Sequence, residues 1–168
     1  MNDKRINYIK LERNSGACVA RNTRIKKISG TYIAFNDSDD EWLPEKTKKQ
    51  LDFLQKKNTD IVLCKLECRT PENKFIHNFP SIKKDKQISY KDLLKYNSAS
   101  TQSIFGKAEC FKDILFDSTM PRLQDWDETF LQKDSISTHP EKGITAMQKL
   151  FEKHKDAILS SPNIAESF

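Results

Sequence analysis

Gly30-Thr-Tyr-Ile-Ala-Phe-Asn-Asp-Ser-Asp-Asp-Glu-Trp-Leu-Pro44 is the stretch whose reading decides the fold. Thr31 to Phe35 are rich in β-branched and aromatic residues, the composition of a buried strand. That strand delivers three carboxylates, Asp37, Asp39 and Asp40, at its carboxyl end. In open α/β sheets, ligands bind where strands end in this way. Acids crowded together repel one another, a cost that a cation among them offsets. The stretch therefore predicts a strand-borne site for a metal and a phosphate.

Working outward, Ile6, Tyr8 and Ile9 alternate weakly with polar residues and predict a strand over Arg5 to Leu11. Asn14-Ser-Gly16 breaks it and supplies capping residues for a helix from about Ala17 to Ser29. Cys18, Ile25 and Ile28 fall at helical spacing there, and Gly30 is a natural stop. After the acidic loop, Pro44 suits a first helical position. Leu51 and Leu54 give the helix that follows, to Lys57, an apolar stripe. Asp60 to Leu66 reads as another strand. Thr70 to Lys86 is polar, holds Pro71 and Pro80, and reads as a mobile basic loop. Ser89-Tyr-Lys-Asp92 resembles a capping box opening a helix to Tyr96. Ser100 to Phe105 predicts a strand, Ala108 to Ile114 a short helix, and Glu141 to Ile158 a longer helix. In that last helix Ile144, Met147, Leu150, Phe151, His154 and Ile158 share one face.

Strand, helix, strand, acidic loop, helix, strand is an α/β pattern. A chain of 168 residues fits one domain with a real core. Charged residues reach 32% and the net charge is +5, scattered along the chain. That balance suits an anionic substrate or membrane surface, whereas dedicated nucleic-acid binding concentrates its charge, so no nucleic-acid partner is expected. Cys64 and Cys68 lack a second pair, which argues against zinc; Cys18 and Cys64 read as core thiols. The amino terminus is charged and polar, without a signal peptide, and no apolar run reaches membrane-spanning length. A reduced, cytoplasmic setting is expected.

The acids admit several chemistries. A D-x-D pair such as Asp37 and Asp39 can hold a divalent cation that also grips a diphosphate. A phosphatase of the haloacid-dehalogenase type also places D-x-D after an apolar strand, but wants Thr or Val where Glu41 stands. An EF-hand loop needs Gly at its sixth position, which is Trp42. The plainest alternative is a solvated acidic turn leading into the Pro44 helix. Downstream, Gln124-Asp-Trp-Asp127 could supply a general base, because a carboxylate beside an indole loses solvent and gains basicity. Taken alone, it reads more readily as an acidic first turn of a helix, bearing Asp127 and Glu128 with Trp126 in the core.

Three segments in order resemble glycosyltransferase family 2, the inverting GT-A-fold enzymes of bacterial polysaccharide synthesis. Asn14-Ser-Gly-Ala-Cys-Val-Ala-Arg-Asn22 is similar to the family's N-x-G-x-x-x-A-R-N segment. The stretch from Gly30 to Pro44 is similar to its G-x-Y-I-A-F-L-D-S-D-D-x-W-x-P strand and metal loop. Ser100-Thr-Gln-Ser103 and Arg122-Leu-Gln-Asp-Trp-Asp127 resemble its S-T-Q and R-L-Q-D-W-D segments. The resemblance implies a GT-A-like mixed sheet flanked by helices. It also implies a donor and metal half over 6–66, an acceptor and base half over 88–131, and a C-terminal helix over 141–159. The family's opening D-D-G-S-x-D segment has no counterpart, so the sheet is expected to be incomplete at its amino-terminal side. The processive Q-x-x-R-W signature is absent as well.

By the same resemblance, Asp37 and Asp39 would form the metal pair for Mg²⁺ or Mn²⁺, with Asp39 the more direct ligand. Asn14, Gly16, Arg21 and Asp37 would line the nucleotide-sugar site, and Asp125 would deprotonate the acceptor hydroxyl. The implied donor is a nucleotide-diphospho-sugar and the implied acceptor a glycan or lipid-linked glycan. Peripheral contact with the inner face of the cell membrane would follow. A remnant without a complete nucleotide site and a metal-dependent phosphohydrolase are the competing readings.

Overall fold

The computed structural model describes residues 3–81, 83–88, 100–112 and 115–119. The helices expected at 89–96 and 141–158 and the segment 121–131, which holds Asp125, lie outside them. Within the described residues the α/β reading holds. Helices α1 (Gly16–Ile25), α2 (Lys46–Lys57) and α3 (Ala108–Lys112) accompany strands β1 (Tyr32–Ala34), β2 (Ile61–Leu63), β3 (Leu66–Arg69), β4 (Phe75–Phe79) and β5 (Ile104–Lys107).

The main sheet runs β1-β5-β2, with β5 antiparallel to both neighbours. Period-two alternation divides its side chains between two faces. On one face Ile33 packs with Ile25 of α1 and with Ala108 and Phe111 of α3. On the other, Val62 and Phe105 pack against Leu54 of α2, and Tyr32, Ala34 and Leu51 extend the cluster. The Tyr32 and Phe105 rings stack with centroids 5.6 Å apart. The sheet is thus covered by α1 and α3 on one side and α2 on the other, the layered solution for a sheet with two apolar faces.

Gly106 is the tight point of this packing. A Cβ there would lie 2.9 Å from the Asp60 carbonyl oxygen, 2.9 Å from Ile61 Cγ1 and 3.1 Å from Phe111 Cε2. A strand glycine that lets other groups approach this closely is there for want of a side chain.

Five elements differ from expectation. The strand expected over Ser100 to Phe105 is a 3₁₀ turn at Thr101–Ser103, braced by Ser100 and Ser103, and the strand itself, β5, starts only at Ile104. Helix α1 ends at Ile25 rather than Ser29, because Lys27 and Ile28 donate to carbonyls three residues back and tighten the chain into a turn before Gly30. Residues 5–11 form no strand: no described ladder pairs them, and Ile6 and Tyr8 are exposed. Among the described residues their weak alternation has no partner strand to pair with. The expected strand to Leu66 stops at Leu63, and Leu66 opens β3 instead.

The expected mobile loop after Thr70 is, up to Phe79, the second half of an antiparallel hairpin. Strands β3 and β4 form their own two-stranded sheet, with a register irregularity between Cys68 and Arg69. Its turn is closed by Thr70 N–H donating to Lys74 O and Asn73 N–H to Thr70 O, with Asn73 at φ 63°. The four cysteines form no disulfide, and Cys18 is buried as expected, whereas Cys64 is only partly so. Among the described residues no helix is long and apolar enough to cross a membrane.

Candidate donor site

The end of the sheet where β1 and β2 finish is also where β5 begins, because β5 runs against both. The acidic loop leaving β1 therefore meets the turn entering β5. Asp37 sits at this junction. Arg21, one and a half turns into α1, donates from Nη2 to both Asp37 oxygens at 2.8 Å. Gln102 Nε2 donates to Asp37 Oδ2 at 3.1 Å. The Arg21 side chain is 14% exposed and that of Asp37 29%, so the pair is only partly screened by water.

Arg21 is also held from behind. Its guanidinium lies 5.7 Å from the centroid of the Phe116 ring. Asn22 fixes that segment: its Nδ2 donates to Phe116 O at 2.8 Å, and its Oδ1 accepts from Phe116 N–H at 3.0 Å. Phe116 in turn packs edge-on against Phe35, the residue that follows β1. The two polar residues ending the A-R-N signature thus divide their work, Arg21 to the acid and Asn22 to the chain that backs Arg21.

Asp39 is exposed and makes no side-chain hydrogen bond or ion pair among the described residues. The carboxyl of Asp40 is pushed above its ordinary range, chiefly by lost solvation. A hydrogen bond from Gln102 opposes this, and the charges of Asp39 and Asp37 add to it. Asp40 N–H donates to Asp37 O at 3.2 Å, closing the loop into a turn.

Asn14 and Gly16 stand apart from this cluster. Asn14 Oδ1 accepts from Gly16 N–H at 3.1 Å and so tightens the start of α1. Gly16 has φ +81°, a left-handed conformation that favours glycine, and nothing lies within 4 Å of where a Cβ would be. Both residues line an open cleft of about 460 Å³, with Tyr8, Arg13 and Ala20, between the N-terminal segment and α1. Neither Arg21 nor Asp37 lines that cleft. Arg24, Lys26 and Lys27 are exposed, as a solvated helix face requires.

The donor set suits a hard cation only in part. Among the described residues no group of three or more His, Cys, Asp or Glu could hold a metal ion. Magnesium-type sites on phosphorylated ligands need only one or two carboxylates, the rest of the shell coming from phosphate and water. Asp39, with both oxygens open, fits that requirement. Asp37 has three of its acceptor positions engaged by Arg21 and Gln102. Sequence reasoning gave no role to Gln102, Asn22 or Phe116. The available signal was the S-T-Q triplet immediately before an apolar strand, which puts an amide at that strand's entry.

The model of "Glycosyl transferase family 2" matches residues 1–115. TuaG of Bacillus subtilis (strain 168), a glycosyltransferase named for teichuronic acid biosynthesis, is 38% identical over 55% of this chain and 36% of its own length. WcaA of Escherichia coli (strain K12), named for colanic acid biosynthesis, is 32% identical over 96% of this chain and 58% of its own. WfgD of Escherichia coli is 37% identical over 55% of this chain and 35% of its own length. It is named a UDP-Glc:alpha-D-GlcNAc-diphosphoundecaprenol beta-1,3-glucosyltransferase. No solved structure matches the chain. The chain spans between about a third and three-fifths of the length of these relatives. With its layered α/β core and the acidic loop at the end of β1, this chain belongs to glycosyltransferase family 2, whose fold is GT-A and whose enzymes generally use a divalent metal.

Proposed function

We propose that the chain is the catalytic portion of an inverting glycosyltransferase that moves a sugar from a nucleotide-diphospho-sugar to a glycan or lipid-linked acceptor in cell-surface polysaccharide biosynthesis. The observation that carries this reading is the division of labour in the acidic loop. Arg21 and Gln102 hold Asp37 fast, which leaves Asp39 open to solvent at the end of β1. A fixed acid beside a free one is what binding a metal diphosphate requires, because the protein's ligand is then preorganised. The names of TuaG, WcaA and WfgD point the same way.

In this reading Asp39, seconded by Asp37, would hold Mg²⁺ or Mn²⁺, which would supply charge neutralisation for the departing nucleoside diphosphate. Asn14 and Gly16 border the cleft that receives part of the donor, and Arg21 acts through Asp37. Asp125, outside the described residues, takes the proton from the acceptor hydroxyl. The acceptor oxygen then bonds to the anomeric carbon as the bond from that carbon to the diphosphate oxygen breaks. Inversion follows from this single displacement. We place the reaction in the cytoplasm, at the inner face of the membrane when the acceptor is lipid-linked.

Isothermal titration with UDP and Mn²⁺ tests the reading. Metal-dependent binding is expected, abolished by Asp39→Ala and retained by Asp125→Asn, which stops transfer instead. Folded protein that binds no nucleotide with metal would show that this span alone lacks a competent donor site. Phosphate release from a simple phosphomonoester, lost on Asp37→Asn, would move the assignment to a phosphohydrolase.

A further inference from the structure

Gln102 is 65 residues from Asp37 in sequence and is buried, with 9% of its surface exposed. It belongs to a short 3₁₀ turn, Thr101–Ser103, in which Thr101 and Ser103 are fully buried. The turn is braced from within and without. Ser100 N–H donates to Ser103 Oγ, which donates back to Ser100 O at 2.6 Å. Ser103 O accepts from Gln50 Nε2 of α2 at 2.8 Å and from Cys64 N–H, just past β2, at 3.1 Å. A residue projecting from such a turn is held by the core on which the sheet rests.

The chemistry of its amide is equally defined. Ser100 Oγ donates to Gln102 Oε1, so the amide nitrogen is the end that faces the acidic loop. There it donates to Asp37 Oδ2 at 3.1 Å, on the same loop as Asp40. An amide nitrogen has two hydrogens, and one of them goes to the Asp37 carboxylate. A neutral donor beside a cluster of like charges stabilises one of them without adding charge of its own.

We propose that Gln102 is the positioning residue of the donor site, a neutral clamp that holds Asp37 on Arg21 and so presents Asp39 outward. The proposal rests on the acidic loop serving a cation and a diphosphate, as set out above. It specifies more than a packing role. Glu at position 102 would keep the length and shape of the side chain but turn the donor into a third carboxylate facing Asp37 and Asp40. The clamp would then become a repulsive cluster that a divalent cation relieves.

The decisive measurement is thermal melting of wild type and Gln102→Glu in chelator and in millimolar Mn²⁺. Gln102→Glu should melt lower in chelator, and Mn²⁺ should raise its midpoint by about 3 °C more than it raises that of wild type. Equal Mn²⁺ shifts in the two proteins would overturn the proposal, since a side chain that only fills space gives no metal-specific rescue. Gln102→Leu, which keeps the bulk and loses the donor, should bind UDP with Mn²⁺ about tenfold more weakly than wild type. Unchanged affinity in a folded Gln102→Leu protein would also overturn it. If wild type itself binds no UDP, the functional assignment fails, while the Mn²⁺ rescue of Gln102→Glu still decides the role of Gln102.

Discussion

The layered unit around β1-β5-β2 and the β3–β4 hairpin are built from similar strands but held by different forces. In the layered unit each strand buries a residue, and apolar clusters from three helices close over both faces. In the hairpin, Phe75 to Asn78 are all exposed, with Phe75 at 55% and Ile76 at 43%. Its order comes from a backbone ladder and from polar links such as Arg69 to Glu67 at 2.6 Å and Arg69 Nη1 to Asn73 O at 3.0 Å. Burial supplies most of the free energy of a fold, and exposed ion pairs supply little. Every described residue of the proposed donor site lies in or beside the layered unit. A site that must hold Asp37 against Arg21 is best built on elements fixed by burial.

The largest test of this contrast is Gly106→Ala. A new Cβ would press on the Asp60 carbonyl and on Ile61 and Phe111, so a loss of about 2 kcal/mol is expected in urea denaturation. Next comes Asn22→Ala, which removes both hydrogen bonds to the Phe116 backbone and should cost about 1.5 kcal/mol. It should also weaken UDP binding with Mn²⁺, because Phe116 then no longer backs Arg21. A stability loss with unchanged nucleotide affinity would separate the core from the site and break the comparison as drawn.

A subtler effect comes from Lys46 on α2. Its Nζ is buried without a hydrogen-bond partner, 4.3 Å from the centroid of the Trp42 ring. Burial holds its pKa below the ordinary 10.5, with the nearby Cys64 charge opposing this. The unfolded chain therefore binds the proton more tightly than the folded one. Stability must rise with pH from the lowered folded-state value up to about 10.5. Denaturation from pH 8 to pH 10.5 should show wild type gaining on Lys46→Met, and parallel curves would refute the buried charge. The smallest effect is expected in the hairpin, where Phe75→Ala should change stability by less than about 0.5 kcal/mol. A loss comparable to that of Gly106→Ala would mean the hairpin is packed against something that the described residues do not include.

Legibility in the sequence followed burial. Strand β1 could be read because Tyr32, Ile33 and Ala34 sit in a sheet with two covered faces, where β-branched and aromatic residues are wanted. Strand β4 could not, because Phe75-Ile-His-Asn-Phe79 buries almost nothing and so carries no alternation to read. The opposite error befell residues 5–11, where a faint alternation exists with no ladder to use it. Helix α2 was legible through Leu51 and Leu54, although its start moved from Pro44 to Lys46, a shift within the usual fraying of a helix end.

What the sequence by itself determined is the chemistry on offer: a strand ending in carboxylates, the A-R-N helix before it and the S-T-Q triplet after it. Those are local patterns, set by side-chain type and spacing. Only the tertiary structure decided which of them meet. Strand β5 inserts between β1 and β2 and runs against both, and this pairing carries Gln102 across 65 residues of sequence to Asp37. It also sets Asn14 and Gly16 on a cleft of their own, away from the acid pair. No spacing rule encodes such a meeting, because its free energy comes from the burial of Ile33, Val62 and Phe105, which lie on strands far apart in the sequence.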